Sequence, residues 1–560
     1  MKISSICASA LFLLSACSPR AAVIADYDVI PLPMSVELDT VAPGFVFSPS
    51  TKIVVESADS AMATNARLLA GYLKELVGVD PAITDKASDN AIVLSANLPS
   101  ESPEAYELIV NDKLITINGA SPAGTFYGIQ TLRKSIPQAG NYNVRFPAAE
   151  IADEPRFAYR GALFDSARHF FPADSVKTVI DMLAMHNINR LHWHLTDDQG
   201  WRIEIDKYPK LIEKGSMRTG TAVGLGLDDS SDSIPYGGYY TKDQLRDIVK
   251  YAADRHIIII PEIDLPGHMQ GALAAYPEMG CTGGPYEVWK RWGISEDVLC
   301  AGNDSIYTFI NDVLDEVMEI FPSEYIHIGG DECPKVRWKE CPKCQAKIKA
   351  LGLRSDSHST AEQKLQNVVM ESAVKHLTEH GRKVIGWDEI LEGGIVEDLT
   401  IMSWRGEEGG RTAAKAGCDA IMSPYEYLYF DFVQADREHE PQGANWGDPT
   451  PLEKVYSYEP IPVEFTPEEA AHIIGVQANT WTEYIPTLSH AQYMMLPRLA
   501  ATAEIQWRQP ARDYADFMRR LPQLLRLYRA SGYNYHPTPA AEPTAESTSA
   551  STAQQAPAAK

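Results

Sequence analysis

From Pro155 onward the chain repeats one rhythm, in which a short apolar run ends in polar or glycine residues and an amphipathic stretch follows. The apolar runs are 161–165, 190–195, 257–263, 325–328, 383–386, 400–402, 420–422 and 473–477, eight in all. Helical stretches at 173–186, 242–255, 305–320 and 360–379 are long enough to carry the chain from the end of one parallel strand to the start of the next. Eight such units predict a (β/α)8 TIM barrel, an α/β fold whose site is built from the loops at the strand C-terminal ends. That also explains why charged residues collect just after the strands. A doubly wound sheet is the structural alternative, because short apolar runs are easily miscounted. The helical segment 514–528 completes or flanks the ring.

The predicted catalytic domain covers 153–530 and is preceded by a small α/β domain over 27–152, with strands at 45–47, 52–56, 91–94 and 106–110 and helices at 61–76 and 123–135. Residues 537–560 are almost entirely Pro, Ala, Thr, Ser, Glu and Gln, with no apolar periodicity to offset the entropy of ordering, and are expected to be disordered. Residues 1–17 pair one lysine with an apolar run, Ile3 to Leu14, too short to span a bilayer as a mature helix. They read as an export signal. The ending Leu14-Ser15-Ala16-Cys17 resembles a bacterial lipobox, which implies lipidation of Cys17 and a place in the cell envelope, at the outer membrane or periplasmic face. A signal cleaved elsewhere is the alternative.

Lys and Arg total 50 against 75 Asp and Glu, a formal charge of -25, which argues against a nucleic acid partner. Of eight cysteines, Cys7 and Cys17 belong to the export segment. In an oxidising compartment a Cys281–Cys300 bridge is expected, contributing about 3 kcal/mol by loop-closure entropy. Cys341-Pro-Lys-Cys344 is a single CxxC, for which a local disulfide or two inert thiols outweigh zinc.

The sharpest local feature is His327-Ile-Gly-Gly-Asp331-Glu332, where two glycines allow close backbone approach and two acids follow at a strand mouth. Cleaving an acetal needs a proton for the leaving oxygen and support for positive charge at the sugar carbon. Glu332 suits the acid if Trp387 or another aromatic restricts its solvation, with Asp331 ionised. The counter-reading is a solvated acidic turn.

His192 and His194 share a strand face in His192-Trp-His-Leu-Thr-Asp197-Asp198, but no compact third ligand accompanies them, so hydrogen-bonded barrel residues or part of the pocket wall are expected rather than a metal site. His268, in Pro261-Glu-Ile-Asp-Leu-Pro-Gly-His268, is placed to orient a carboxylate or to be a satisfied turn residue. Arg168 is a candidate for sugar hydroxyls or for a salt bridge. Trp387, Trp404, Tyr429-Phe-Asp431 and Trp481-Thr-Glu483 put aromatic faces beside acids after the last strands, a convergence that independent core roles do not explain. Segments 220–238 and 436–458 are candidate extended loops shaping outer subsites. No GxxxxGK, HExxH or GxSxG motif occurs, which weakens ATPase, zinc hydrolase and serine esterase readings.

These motifs, together with Arg160-Gly-Ala-Leu-Phe-Asp165-Ser-Ala-Arg168-His169, strongly resemble the family 20 glycoside hydrolases, the β-N-acetylhexosaminidases, over roughly residues 27–529. The resemblance implies removal of nonreducing-end β-linked GlcNAc or GalNAc from oligosaccharides or glycoconjugates, with retention and with the acetamido oxygen as nucleophile. It makes Glu332 the acid and base, Asp331 the orienter of the acetamido group, and Tyr429 a donor to its oxygen. Trp387, Trp404 and Trp481 would enclose the sugar, Arg168, Asp431 and Glu483 would hold hydroxyls, and Asp197 with His268 would support Glu332. No cofactor or metal is implied. Against this stand a noncatalytic sugar-binding envelope protein and a glycosidase of other specificity; no oligomeric state follows from the sequence.

Overall fold

The computed structural model describes residues 22–137, 143–225, 230–509 and 511–538; the expected export signal, its Cys17 and all but the first two residues of the expected tail lie outside them. The second rhythm folds as a closed barrel of eight strands: β1 (Tyr159–Asp165), β2 (Arg190–His194), β3 (Ile258–Leu265), β4 (Tyr325–Gly329), β5 (Lys383–Trp387), β6 (Leu399–Ser403), β7 (Ala420–Met422) and β8 (Ile473–Thr480). Each coincides with one expected run. All neighbours pair in parallel, and β8 returns to β1 in a register from Tyr159↔Gly475 to Phe164↔Thr480, which excludes the open doubly wound sheet. Crossover helices start where the sequence offers a cap. Thr241 opens Lys242–Ala253 and Thr360 opens Ala361–Glu379, each accepting from the backbone three residues on while a glutamine side chain reaches back.

Ahead of the barrel lies a seven-stranded mixed sheet in the order Ser35–Leu38, Ala149–Asp153, Tyr106–Val110, Leu114–Gly119, Ala91–Ser95, Lys52–Val55 and Ile83–Thr84, carrying helices Ser60–Val77 and Pro122–Ser135. It is fastened to the foot of the barrel by charge. Arg160, fully buried in β1, donates from Nη1 to Glu104 Oε2 at 2.6 Å and from Nη2 to Glu104 Oε1 at 2.9 Å and to the Tyr127 hydroxyl at 2.9 Å, both partners belonging to the small domain. The Trp507 indole donates to Asp153 Oδ2 at 2.9 Å across the same seam.

The cysteines depart from expectation. Cys281 and Cys300 are free, and so are Cys341 and Cys344; instead of pairing, all four sulfurs converge, with separations of 3.8 Å (281–344), 3.6 Å (300–341) and 3.7 Å (300–344), far beyond the roughly 2.05 Å of a disulfide. Among the described residues no helix is long and apolar enough to cross a membrane.

Candidate active site

Every predicted site residue lies at the C-terminal face of the barrel: Arg168 after β1, Asp197 after β2, His268 after β3, Asp331 and Glu332 after β4, Trp387 at the end of β5, Trp404 after β6, Tyr429 and Asp431 after β7, Trp481 and Glu483 after β8. The β4 mouth shows why two adjacent acids can serve one site. Side chains alternate in regular strand, but here Gly329 and Gly330 have φ of 65° and 108°, and Glu332 itself sits at 45°. A left-handed conformation at a glutamate is strained, and it turns the side chain out of strand alternation. A register irregularity in β3 between Glu262 and Leu265 lets Asp264 Oδ1 accept from the Gly330 amide at 3.2 Å, fixing that turn.

A chain of charges then crosses the site. Arg168 Nε lies 2.9 Å from Asp197 Oδ2, and Asp197 Oδ1 is 3.2 Å from His268 Nδ1. His268 Nε2 in turn is 3.7 Å from Asp331 Oδ2 and 3.5 Å from Glu332 Oε2. Burial alone would push Asp197 up, but the charges of Arg168 and then His268 overcome it and hold the carboxyl well below its ordinary range. Burial disfavours a charged His268, and Asp197 reverses that, raising it well above an ordinary histidine. The imidazolium is thereby kept beside both acids.

Burial falls on Asp331 rather than on Glu332, contrary to the expectation that an aromatic wall would shield the glutamate: the Asp331 side chain is 14% exposed and that of Glu332 34%. The Trp387 indole is committed elsewhere, donating to Glu262 Oε1 at 2.9 Å. Burial pushes the Asp331 carboxyl up to about 6, with His268 opposing and Glu262 and Glu332 adding to the rise. Its Oδ1 is buried and, like Oδ1 of Asp431, receives no hydrogen bond from the described residues. Two buried acceptors facing one mouth call for donors from a ligand.

The aromatic wall is continuous. Trp387 and Trp481 have ring centroids 5.9 Å apart, Trp481 and Tyr429 6.2 Å, and Tyr429 stacks on Trp404 at 5.9 Å and 15°. Trp404 is held by its indole donating to Glu389 Oε2 at 2.8 Å. Burial, then the charge of Asp431, raises the Tyr429 hydroxyl well above an ordinary phenol, keeping it a donor. Arg168 lies 4.9 Å over the Trp481 ring and 3.9 Å from Glu483 Oε1. Burial raises both Asp431 and Glu483, each in turn raising or restrained by its neighbour: Glu483 repels Asp431, and Arg168 opposes the rise of Glu483. The two candidate outer loops touch, Gln442 Nε2 donating to the Gly224 carbonyl at 2.6 Å, and the Tyr484 hydroxyl reaches Leu225 at 3.2 Å.

Glu262 was not singled out by the sequence. It is a fully buried carboxylate under the site, contacted by His192 at 3.1 Å, by His327 at 2.9 Å and by His194, whose other ring nitrogen is 2.8 Å from Asp197. Burial pushes Glu262 up, and His327, His194 and His192 overcome it to hold the carboxyl well below its usual range. The signal was present in the period-two alternation of His192 with His194 and of Glu262 with Asp264, which puts each pair on one strand face.

The sequence model for the catalytic domain of glycosyl hydrolase family 20 matches residues 157–510, and that for domain 2 of the same family matches 26–154. The chain belongs to glycosyl hydrolase family 20. Among its relatives, a beta-hexosaminidase of Porphyromonas gingivalis is 42% identical over 548 residues, 95% of this chain and 68% of that protein. A beta-N-acetylhexosaminidase of Cellulomonas fimi is 33% identical over 523 residues, 92% of this chain and 97% of the relative. The solved exo beta-N-acetylglucosaminidase of Vibrio harveyi, in complex with N-acetylglucosamine, superposes with a TM-score of 0.80 at 31% identity, covering 93% of this chain and 80% of that one.

Proposed function

We propose that this chain is a retaining exo-β-N-acetylhexosaminidase that removes nonreducing-end GlcNAc or GalNAc from β-linked oligosaccharides or glycoconjugates. The observation that carries the reading is the meeting of a charged His268 with both Asp331 and Glu332 at a mouth walled by Trp387, Trp404, Tyr429 and Trp481. The named hexosaminidase relatives support the same activity.

In this reading the acetamido N–H of the substrate donates to the unpartnered Oδ1 of Asp331, and the Tyr429 hydroxyl donates to the acetamido oxygen. The oxygen is thus held against C1, and an oriented intramolecular attack of this kind is worth about 7–11 kcal/mol in favourable systems. Glu332 protonates the departing oxygen as the C1–O bond breaks, and an oxazolinium forms. Water then attacks C1, giving its proton to Glu332, and the second inversion restores the β configuration. Asp431, Glu483 and Arg168 hold the sugar hydroxyls. We further propose, from Leu14-Ser-Ala-Cys17 alone, that the enzyme is exported and lipidated at Cys17; loss of fatty-acid labelling in Cys17→Ala tests it.

A product-resolved assay over β-linked amino-sugar substrates, with Glu332→Gln as the paired control, tests the activity. Sugar binding without monosaccharide release would overturn it in favour of a lectin-like role. A thiazoline analogue, shaped like the oxazoline, should inhibit competitively, and failure to do so would remove the substrate-assisted step.

A further inference from the structure

The four cysteines that decline to form disulfides share one spatial arrangement. Cys281 and Cys300 bracket the long loop after β3, and their segments are brought together by an antiparallel bridge between Gly280 and Leu299 and by the Cys300 amide donating to the Met279 carbonyl at 2.8 Å. Cys341 and Cys344 come from the loop after β4, at the start of helix Pro342–Leu351. Gly302 permits the approach, since a Cβ there would collide with the backbone of Lys343 and Cys344. The Trp338 indole donates to the Leu299 carbonyl at 2.9 Å, and Arg337 Nε lies 2.7 Å from Asp297 Oδ1, so the two loops are already docked around the sulfurs.

We propose that Cys281, Cys300, Cys341 and Cys344 form a structural zinc-tetrathiolate site that clamps the β3 loop to the β4 loop. A tetrahedral zinc with Zn–S bonds of about 2.3 Å requires sulfurs about 3.8 Å apart, the bond length multiplied by roughly 1.63. Three edges of this cluster measure 3.8, 3.6 and 3.7 Å, and all four sulfurs lie within 4.8 Å of one another. No disulfide pairing accounts for Cys300 standing equally close to Cys341 and Cys344. Cys300 and Cys344 are fully buried, Cys341 nearly so and Cys281 partly, which keeps the cluster largely away from solvent. With four protein ligands no position is left for water or substrate, so the ion is structural, and an all-thiolate tetrahedron selects zinc or iron over harder cations. On binding, each thiol gives its proton to solvent and one zinc forms four bonds to thiolate, with no electron transferred. The CxxC carried little weight alone because its second pair is a loop away in sequence and is supplied only by the fold.

The clamp matters because its two loops carry opposite partners of one contact: His268 follows β3, and Glu332 follows β4, 3.5 Å away. The test uses the full chain purified under reducing conditions without chelator. Elemental analysis and native mass spectrometry should find one equivalent of zinc. Cys344→Ser should lower zinc affinity at least ~10-fold, the lower end of what even outer-sphere changes cost, while Cys418→Ser, outside the cluster, keeps the ion. Since a ligand variant can lose its fold, the wild-type protein is also loaded with cobalt, which should give the intense visible absorption and near-ultraviolet thiolate charge transfer of a tetrahedral sulfur site. Substoichiometric zinc after incubation with excess metal, an intact mass lighter by four hydrogens, or a weak octahedral cobalt spectrum would each overturn the proposal. Iron in place of zinc would overturn the assignment of the ion.

Discussion

Asp331→Asn should make the protein more stable and nearly inactive at once. The carboxyl is pushed up to about 6 from 3.8 chiefly by burial, and its side chain is only 14% exposed, so solvent screens little of the penalty. Roughly two pH units correspond to about 3 kcal/mol by which ionising Asp331 disfavours the folded state. The sign follows from the folded value lying above the unfolded one. Below about 3.8 both states hold the proton and the substitution is neutral. Between 3.8 and about 6 the penalty grows, and above that it is complete. Urea denaturation of wild type and Asp331→Asn at pH steps from 4 to 8 should therefore show the variant gaining stability with pH, toward an upper limit of about 3 kcal/mol. Over the same range kcat should fall about 10²–10³-fold in the variant, the usual loss when one electrostatic stabiliser of a transition state is removed. The wild-type acid limb near pH 6 should vanish with the carboxyl. A variant equal to or less stable than wild type at pH 8 would refute the reasoning, because the acid would then not be a buried charge kept for chemistry.

Glu332→Gln should lower turnover about 10²–10⁴-fold on substrates whose aglycone must be protonated, and less on a nitrophenyl glycoside whose leaving group needs no proton; equal losses on both would contradict an acid role. Tyr429→Phe keeps the stacking on Trp404 and removes only the hydroxyl, so kcat should drop roughly 10²-fold with KM little changed, as steady-state kinetics would show. Glu262→Gln leaves three histidines around a neutral amide and should cost about 3–5 kcal/mol at neutral pH. Because Glu262 is held below its ordinary 4.5, that stabilisation is present above pH 4.5 and is lost as the pH falls through the depressed value, so the gap between variant and wild type in denaturation midpoints should close in acid.

How much of this could be read beforehand depended on whether the information was local. Runs such as Thr400-Ile-Met402 are buried on both faces in a parallel barrel, so they announce themselves as strands. Leu114–Gly119 and Ala149–Asp153, which alternate with polar or small residues at the half-exposed sheet of the small domain, carried too little contrast and were missed. Aromatic and acidic residues after strands do lie together at the C-terminal mouth of the barrel. Which of two adjacent acids is the buried one, and that Trp387 serves Glu262, depend on packing between strands distant in sequence, and no spacing encodes it. The cysteines make the same point, since Cys281 and Cys344 meet across 63 residues.

The buried fork of Arg160 on Glu104 bears on how such enzymes can be cut and recombined. An excised barrel beginning after Asp153 would retain the guanidinium in β1 and discard the carboxylate and phenol that neutralise and ligate it. An uncompensated charge would then sit in the wall of the first strand, the one that β8 must find to close the ring. The front module thus serves as a counterion built of protein, and the catalytic half is not a portable cassette: a graft onto another scaffold has to bring Glu104 along or replace Arg160 with something that needs no partner.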